Sequence, residues 1–158
     1  MQVRPYEPGD RAAIEALAAE IVADGSVFPF EDVQGVLDYW FGPATRVFVA
    51  REGGVALGTY VIKPNHPGRG AHVANAGYMV AEHARGRGVG RALCEDSIAR
   101  ARELGFLALQ FNQVVATNTA AVRLWESLGF ERIGTLPRAF RHPTAGLVDT
   151  LVFYRALA

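Results

Sequence analysis

The sequence predicts a mixed α/β (α+β) fold, with one mixed β-sheet and helices on both faces. Three observations carry that expectation. Segments whose apolar residues recur at intervals of three, four and seven are interleaved with short β-branched and aromatic runs, the signatures of helices and strands. The resulting order, β-α-α-β-β-β-α-β-α-β-β, combines hairpins, which give antiparallel pairs, with crossover helices, which give parallel ones. The 158 residues are 50% hydrophobic, which suits one domain over 1–158 with a core that needs no disulfide staples.

The elements follow in order. Met1–Pro5 reads as a short strand. Pro8-Gly9-Asp10 makes a turn and a helix start, and Ile14, Leu17, Ala18, Ile21 and Val22 form the inner stripe of a helix that Gly25 stops. The loop SVFPF leads to a second helical stretch, Glu31–Trp40, ended by Gly42-Pro43. Arg46–Arg51 and Val55–Lys63 read as strands joined by the hairpin REGG. After a loop over Pro64–Gly70, Ala71–Val80 reads as a strand whose small residues permit close approach. ARGRGVG opens a helix running to Leu104, with Gly105 as its C′ residue. Phe106–Val115 is a buried strand, and Thr117-Asn118 caps a helix over Thr119–Leu128 that Gly129 closes. Phe130–Thr135 and Leu147–Tyr154 read as two last strands around a loop holding Pro137 and Pro143.

Composition narrows the function. Sixteen basic residues balance sixteen acidic ones, which argues against nucleic acid or an anionic membrane as the principal partner. The single cysteine, Cys94, rules out an internal disulfide and a cysteine metal cluster, and reads as a small core residue. No histidine pair has metal-ligand spacing, so no metal is expected. The opening MQVRPYEPGD has no apolar h-region, and no apolar run approaches the ~20 residues of a membrane helix. The cytosol is the expected compartment.

The strongest chemical signal is Arg85-Gly86-Arg87-Gly88-Val89-Gly90-Arg91, between a strand and a helix. Glycines let successive backbone N–H groups converge, and the helix start adds free donors and a positive dipole end. Three arginines add charge. The pattern is a pyrophosphate cradle, but neither a dinucleotide fingerprint nor a P-loop. Arg91 stands where the third glycine of the first belongs, and the only lysine, Lys63, lies elsewhere.

Arg85-Gly86-Arg87-Gly88-Val89-Gly90 resembles the R-x-x-G-x-G/A motif of the GCN5-related N-acetyltransferase (GNAT) superfamily. The resemblance extends through NAGYMV, LQFNQV and NTAAVRLWESLGF. It implies a GNAT-like sheet whose fourth and fifth strands splay apart around acetyl-CoA. Backbone near Met79 and Val80 would then hold the pantetheine arm, residues 85–91 the pyrophosphate, and Asn118 the arm again. A narrower resemblance, through SVFPFEDVQGVLDYWF and KPNHPGRGAHVANAGYMV, is to a microbial subgroup that includes proline-analogue (azetidine-2-carboxylate) acetyltransferases. Where many GNAT members carry a tyrosine acid for the leaving thiolate, this chain has Trp125, which reads as packing. A thiol with a pKa near ~8.5 can leave without such an acid.

Four further groups of residues are candidates. His72, early in the strand before the loop, is the candidate base. His66, His83 and His142 fall in loops with no specific role. Asn75 and Asn112, polar residues in apolar strands, either hold a substrate carboxylate or satisfy the sheet where it parts. Phe28 and Phe30, with Tyr39 and Trp40, wall a substrate pocket or pack. Glu31 and Glu82 read as surface charges.

The leading expectation is direct acetyl transfer from acetyl-CoA to a primary or secondary amine of a small molecule, with an amino acid or amino-acid analogue as the narrower candidate. Acetylation of a protein amine and an inactive CoA-binding domain stay open. So does a homodimer.

Overall fold

The computed structural model describes residues 1–158. Strands β1 (Gln2–Pro5), β2 (Arg46–Glu52), β3 (Val55–Pro64), β4 (Val73–Val80), β5 (Ala108–Val115), β6 (Glu131–His142) and β7 (Gly146–Ala156) form one sheet. Helices are α1 (Arg11–Asp24), α2 (Val33–Trp40), α3 (Val89–Glu103) and α4 (Thr119–Ser127). The strand order is β1-β2-β3-β4-β5-β7-β6. Only β4 and β5 run parallel, joined through the α3 crossover; all other neighbours are antiparallel.

Alternation along the central strands assigns the helices to faces. On β3, Thr59 accepts a hydrogen bond from the Trp40 indole N–H at 3.1 Å, whereas its neighbour Tyr60 donates to Asp96 of α3 at 2.6 Å. On β4, Gly77 lies under Tyr39 and Trp40, whereas the Tyr78 hydroxyl bonds Ser97 of α3 at 2.7 Å. Helices α1 and α2 therefore cover one face and α3 and α4 the other. Trp40, Tyr60, Met79, Leu93, Leu109 and Phe153 are among the fully buried side chains between these layers. Cys94 is fully buried, and burial pushes its thiol up to about 12.

Away from the centre, Asp10 holds β1 to β2. It is 1% exposed, takes both guanidinium nitrogens of Arg4 at 2.8 and 3.0 Å, and takes Arg51 at 2.8 Å. The Arg4 hydrogen bond holds its carboxyl below the usual range despite burial.

Among the boundaries that differ from expectation, two bear on the site. Strand β4 begins at Val73, because Gly68–Gly70 forms a 3-10 turn and Ala71-His72 a further turn. At the other end, β6 runs through Pro137 to His142. A proline inside a strand is tolerated here because β6 is an edge. The register slips between Leu136 and Phe140, Arg138 takes φ 53°, and its N–H donates to Asp149 at 2.9 Å. The bulge allows the β6–β7 hairpin to reach far beyond the end of β5.

Candidate active site

Strands β4 and β5 pair only at Val73–Ala108, Ala74–Leu109 and Asn75–Gln110. Past that rung Ala76–Val80 pairs with β3 alone, and Phe111–Val115 with β7 alone. A register shift between Phe111 and Val114 leaves Asn112 and Gln113 as a bulge, which bends β5 away from β4. The sheet thus opens into a V with its apex at Asn75. A cavity of about 980 Å³ fills the V and runs out to the glycine loop.

The loop end is built from backbone. Gly86 and Gly88 take φ of 74° and 78°, conformations that cost a side-chain-bearing residue about 1–2 kcal/mol. Gly88 is the N-cap of α3 and supplies no side-chain cap. As a result, every backbone N–H from Gly86 to Arg91 lacks an acceptor within the protein. Such a run at a helix start is an anion site by construction. The Arg85 side chain lines it without a hydrogen bond or ion pair of its own, and Arg91, bonded to Ser127 at 2.9 Å, lines it too. Gly90 allows α3 to approach α4 here: a Cβ would stand 3.4 Å from Leu124.

The opposite end is built from side chains. Phe28 and Phe30 stack with centroids 6.1 Å apart, and Phe30 lies 5.4 Å from Tyr39. Gly77 makes room for these rings, since a Cβ there would already touch Tyr39, Phe28 and Trp40 at 3.6–3.7 Å. The Tyr39 hydroxyl donates to Asn75 Oδ1 at 2.5 Å, and burial pushes its pKa up to about 12. Asp24, at the end of α1, is the one carboxylate lining the cavity. The Ser26 hydroxyl, which donates to it, holds its carboxyl below the usual range. The tip of the β6–β7 hairpin closes this end, with Pro143 against Gly25.

The sequence-derived residues fall as follows. Val80, Arg85, Gly86, Gly88, Val89, Gly90, Arg91 and Asn118 all line the cavity. Met79 is a correction: its side chain is in the core, its carbonyl lies against Gly58 of β3, and the cavity does not include it. Arg87 is a correction: its side chain leaves the loop and pairs with Glu52 at 2.6 Å. Asn118 caps α4, its carbonyl oxygen accepting from the Ala121 N–H at 3.3 Å.

His72 is a second correction. It sits exposed in the turn before β4, and the cavity does not include it. Its carbonyl accepts from Leu107 at 2.9 Å, a link to the start of β5. Asn75 and Asn112 both line the cavity, yet their amide groups are engaged within the protein. Asn75 is 5% exposed and donates to the Gln110 carbonyl at 3.0 Å, fastening the apex. Asn112 donates to Asn65 at 2.7 Å and accepts from Gln110 at 3.0 Å. The sheet-satisfying alternative therefore describes Asn75, and a ready-made carboxylate clamp is not formed. Glu31 and Glu82 are exposed and outside the cavity, as are His66 and His83. His142, assigned no role from sequence, lines the cavity with Asp24 and Ser26. No local sequence signal marks these three, because they meet only when the last hairpin folds over α1.

Trp125 packs against Tyr78 and Phe111 at 5.0 and 4.9 Å while bordering the cavity. Tyr78 also borders it, but its O–H is turned to Ser97, which itself donates to the Cys94 carbonyl. Burial raises the Tyr78 pKa well above its ordinary value. Neither residue offers an acidic proton to the V.

A parallel pair parted beside a cradle of free N–H groups sets one open cavity between two strands, with donors for an anion at one end. The Acetyltransferase (GNAT) family matches residues 11–130, and the chain belongs to that family. The structure of a GCN5-related N-acetyltransferase from Kribbella flavida is 49% identical, with a TM-score of 0.91 over 98% of this chain and 96% of that one. A mycothiol acetyltransferase of Thermobispora bispora is 37% identical over 141 residues, covering 84% of this chain and 47% of that protein. The chain spans about half or less of the length of the curated relatives it matches. The phosphinothricin acetyltransferase of Sinorhizobium meliloti, solved in complex with acetyl-CoA, shares the fold at 20% identity, with a TM-score of 0.87 over 99% of this chain and 88% of that one.

No helix is long and apolar enough to cross a membrane.

Proposed function

We propose that the protein is an acetyl-CoA-dependent N-acetyltransferase whose acceptor is a small-molecule amine of the amino-acid or amino-acid-analogue type. The observation that carries the reading is the continuity of one cavity from the unpaired N–H groups of 86–91 to the aromatic chamber of Phe28, Phe30 and Tyr39. The residues present fit acetyl-CoA. The N–H cradle and Arg85 suit the pyrophosphate, and the open backbone edges of Ala76–Val80 and Phe111–Val115 suit the amides of a pantetheine arm. Bound there, acetyl-CoA supplies the thioester carbon that the amine attacks, and the C–S bond breaks to release the thiol. The chain's own part is positioning, which turns a bimolecular encounter into an effectively unimolecular step.

Proton handling follows from the lining groups. Tyr39 and Tyr78 titrate too high to serve as acids near neutrality. Asp24, held low by Ser26, is a standing negative charge that draws an ammonium toward the mouth, and a poor base. The amine accordingly loses its proton to solvent before attack. The hairpin tip seated on α1 narrows the acceptor end on one side, which supports the small-molecule reading.

The test is release of free thiol from acetyl-CoA by the purified protein with amino acids, polyamines, aminoglycosides and peptides. Turnover should appear with a small amine and increase with pH as its ammonium deprotonates. Turnover with peptides alone would replace the acceptor class, and silence with every amine would remove the enzymatic reading.

A further inference from the structure

His142 is the only histidine that lines the cavity. It ends β6, on the hairpin whose Pro143 packs against Gly25 at the close of α1. Its surroundings fix its chemistry. The backbone N–H groups of Thr144 and Ala145 both donate to its Nδ1, each at 3.1 Å. The Thr144 hydroxyl stands 3.3 Å from the same nitrogen. A backbone N–H can only donate, so Nδ1 must accept and the ring proton must reside on Nε2. Nε2 makes no hydrogen bond within the protein, and no carboxylate is within ion-pair distance of the ring, although Arg85 and His142 both stand near enough to Asp24 to help Ser26 hold its carboxyl low. His142, a cavity-lining residue on a folded-over hairpin, therefore carries an N–H donor that has no partner within the protein.

We propose that His142 is an acceptor-binding residue. Its Nε2–H donates to an oxygen of the incoming molecule and so selects amines that carry a carboxylate or carbonyl group near the amine. The inference rests on the acetyltransferase reading of the cavity and adds to it the residue that reads the acceptor. It also separates His142 from the general-base role that a lone cavity histidine invites, because a nitrogen that already carries the proton cannot take one from the ammonium. Asp24 and His142, with the Arg85 cation also near Asp24, give the mouth an acceptor and donors. That set matches a molecule with an ammonium at one position and an oxygen at another.

The test has one arm that needs no turnover and one that does. In protein carrying 15N-histidine and saturated with CoA, nitrogen NMR should show the His142 proton on Nε2. Titration with a free amino acid should shift that resonance, and titration with the descarboxy amine should leave it in place. A proton on Nδ1, or a resonance indifferent to both, would overturn the proposal. The kinetic arm compares wild type, His142→Ala and His142→Gln on an amino acid, its amide and its descarboxy amine. His142→Ala should raise KM for the acid and the amide by about tenfold, the size of one lost hydrogen bond. It should leave kcat within about twofold and the descarboxy amine unaffected. Glutamine, which keeps an N–H donor, should recover most of the loss. Equal losses with all three amines would show that His142 serves the hairpin. Loss of kcat together with the acidic limb of the pH–rate profile would make it the base. Unchanged stabilisation of the variants by acetyl-CoA separates failure of this proposal from failure of the acetyltransferase reading itself.

Discussion

The two ends of the cavity are made of different material. At the glycine loop the recognising atoms are backbone N–H groups from one continuous stretch, Gly86 to Arg91, and side chains only tune the charge. At the aromatic end they are side chains from four separate segments: Asp24 at the end of α1 with Phe28 in the loop after it, Tyr39 on α2, Asn75 on β4 and His142 on β6. On the proposed reading the first end takes a group common to every CoA ester, so it can be fixed once in a short motif. The second must be complementary to one acceptor, and side chains on loops and a hairpin supply that variability without disturbing the sheet.

The largest break in this contrast should come from Gly88→Asp. Gly88 has φ 78° and nothing within 4 Å of its would-be Cβ. The variant forces a side chain into the left-handed region and sets a carboxylate at the positive end of α3. Calorimetric affinity for acetyl-CoA should fall by at least about 100-fold, with the aromatic chamber unaltered. Retained affinity would move the pyrophosphate elsewhere.

Asn75→Ala should act next most strongly, and on both ends at once, because Asn75 fastens the apex. It removes the bond to Gln110 and strands the Tyr39 hydroxyl. A cost of about 1–3 kcal/mol is expected for such a buried group, or a melting point lower by about 2–12 °C at ~2–4 °C per kcal/mol for a chain of this size. Catalytic efficiency should drop equally for amines with and without a carboxylate. A loss confined to the carboxylated amine would restore the clamp role that the sequence suggested for it.

The smallest effect sharpens the contrast within the loop itself. Arg87→Ala breaks only the pair with Glu52, in which both side chains are about half exposed, and should change acetyl-CoA affinity by less than about twofold. Arg85→Ala removes an unpaired cation from the cavity and should weaken binding several-fold, more so at low salt. Titrations at two ionic strengths read both. Equal effects would mean that Arg87 leaves Glu52 to meet the ligand.

Much of the fold was legible in the sequence because its determinants are local. The stripe of Ile14, Leu17, Ala18 and Ile21, the left-handed Gly25 at the end of α1 and the Asn118 cap of α4 each act within a few residues. The errors arose where the cause lay further away. Pro137 reads as a strand breaker and is tolerated only because β6 is an edge. His72 reads as a strand residue near the chemistry, and a turn set by Gly68–Gly70 leaves it outside. Arg87 alternates with glycines as its neighbours do, but Glu52 at the end of β2 draws it away.

By itself, then, the sequence determined the element order, the mixed sheet and the glycine cradle, because period, caps and backbone freedom are written in adjacent residues. Tertiary structure decided the rest. The extent of the β4–β5 pairing depends on a bulge in β5. The amide of Asn75 is engaged by Tyr39 and Gln110, residues remote in sequence. His142 enters the site only because the β6–β7 hairpin folds back over the end of α1. Contacts between distant segments form only once the whole sheet is assembled, and no short window of sequence encodes which of a side chain's possible partners will be within reach.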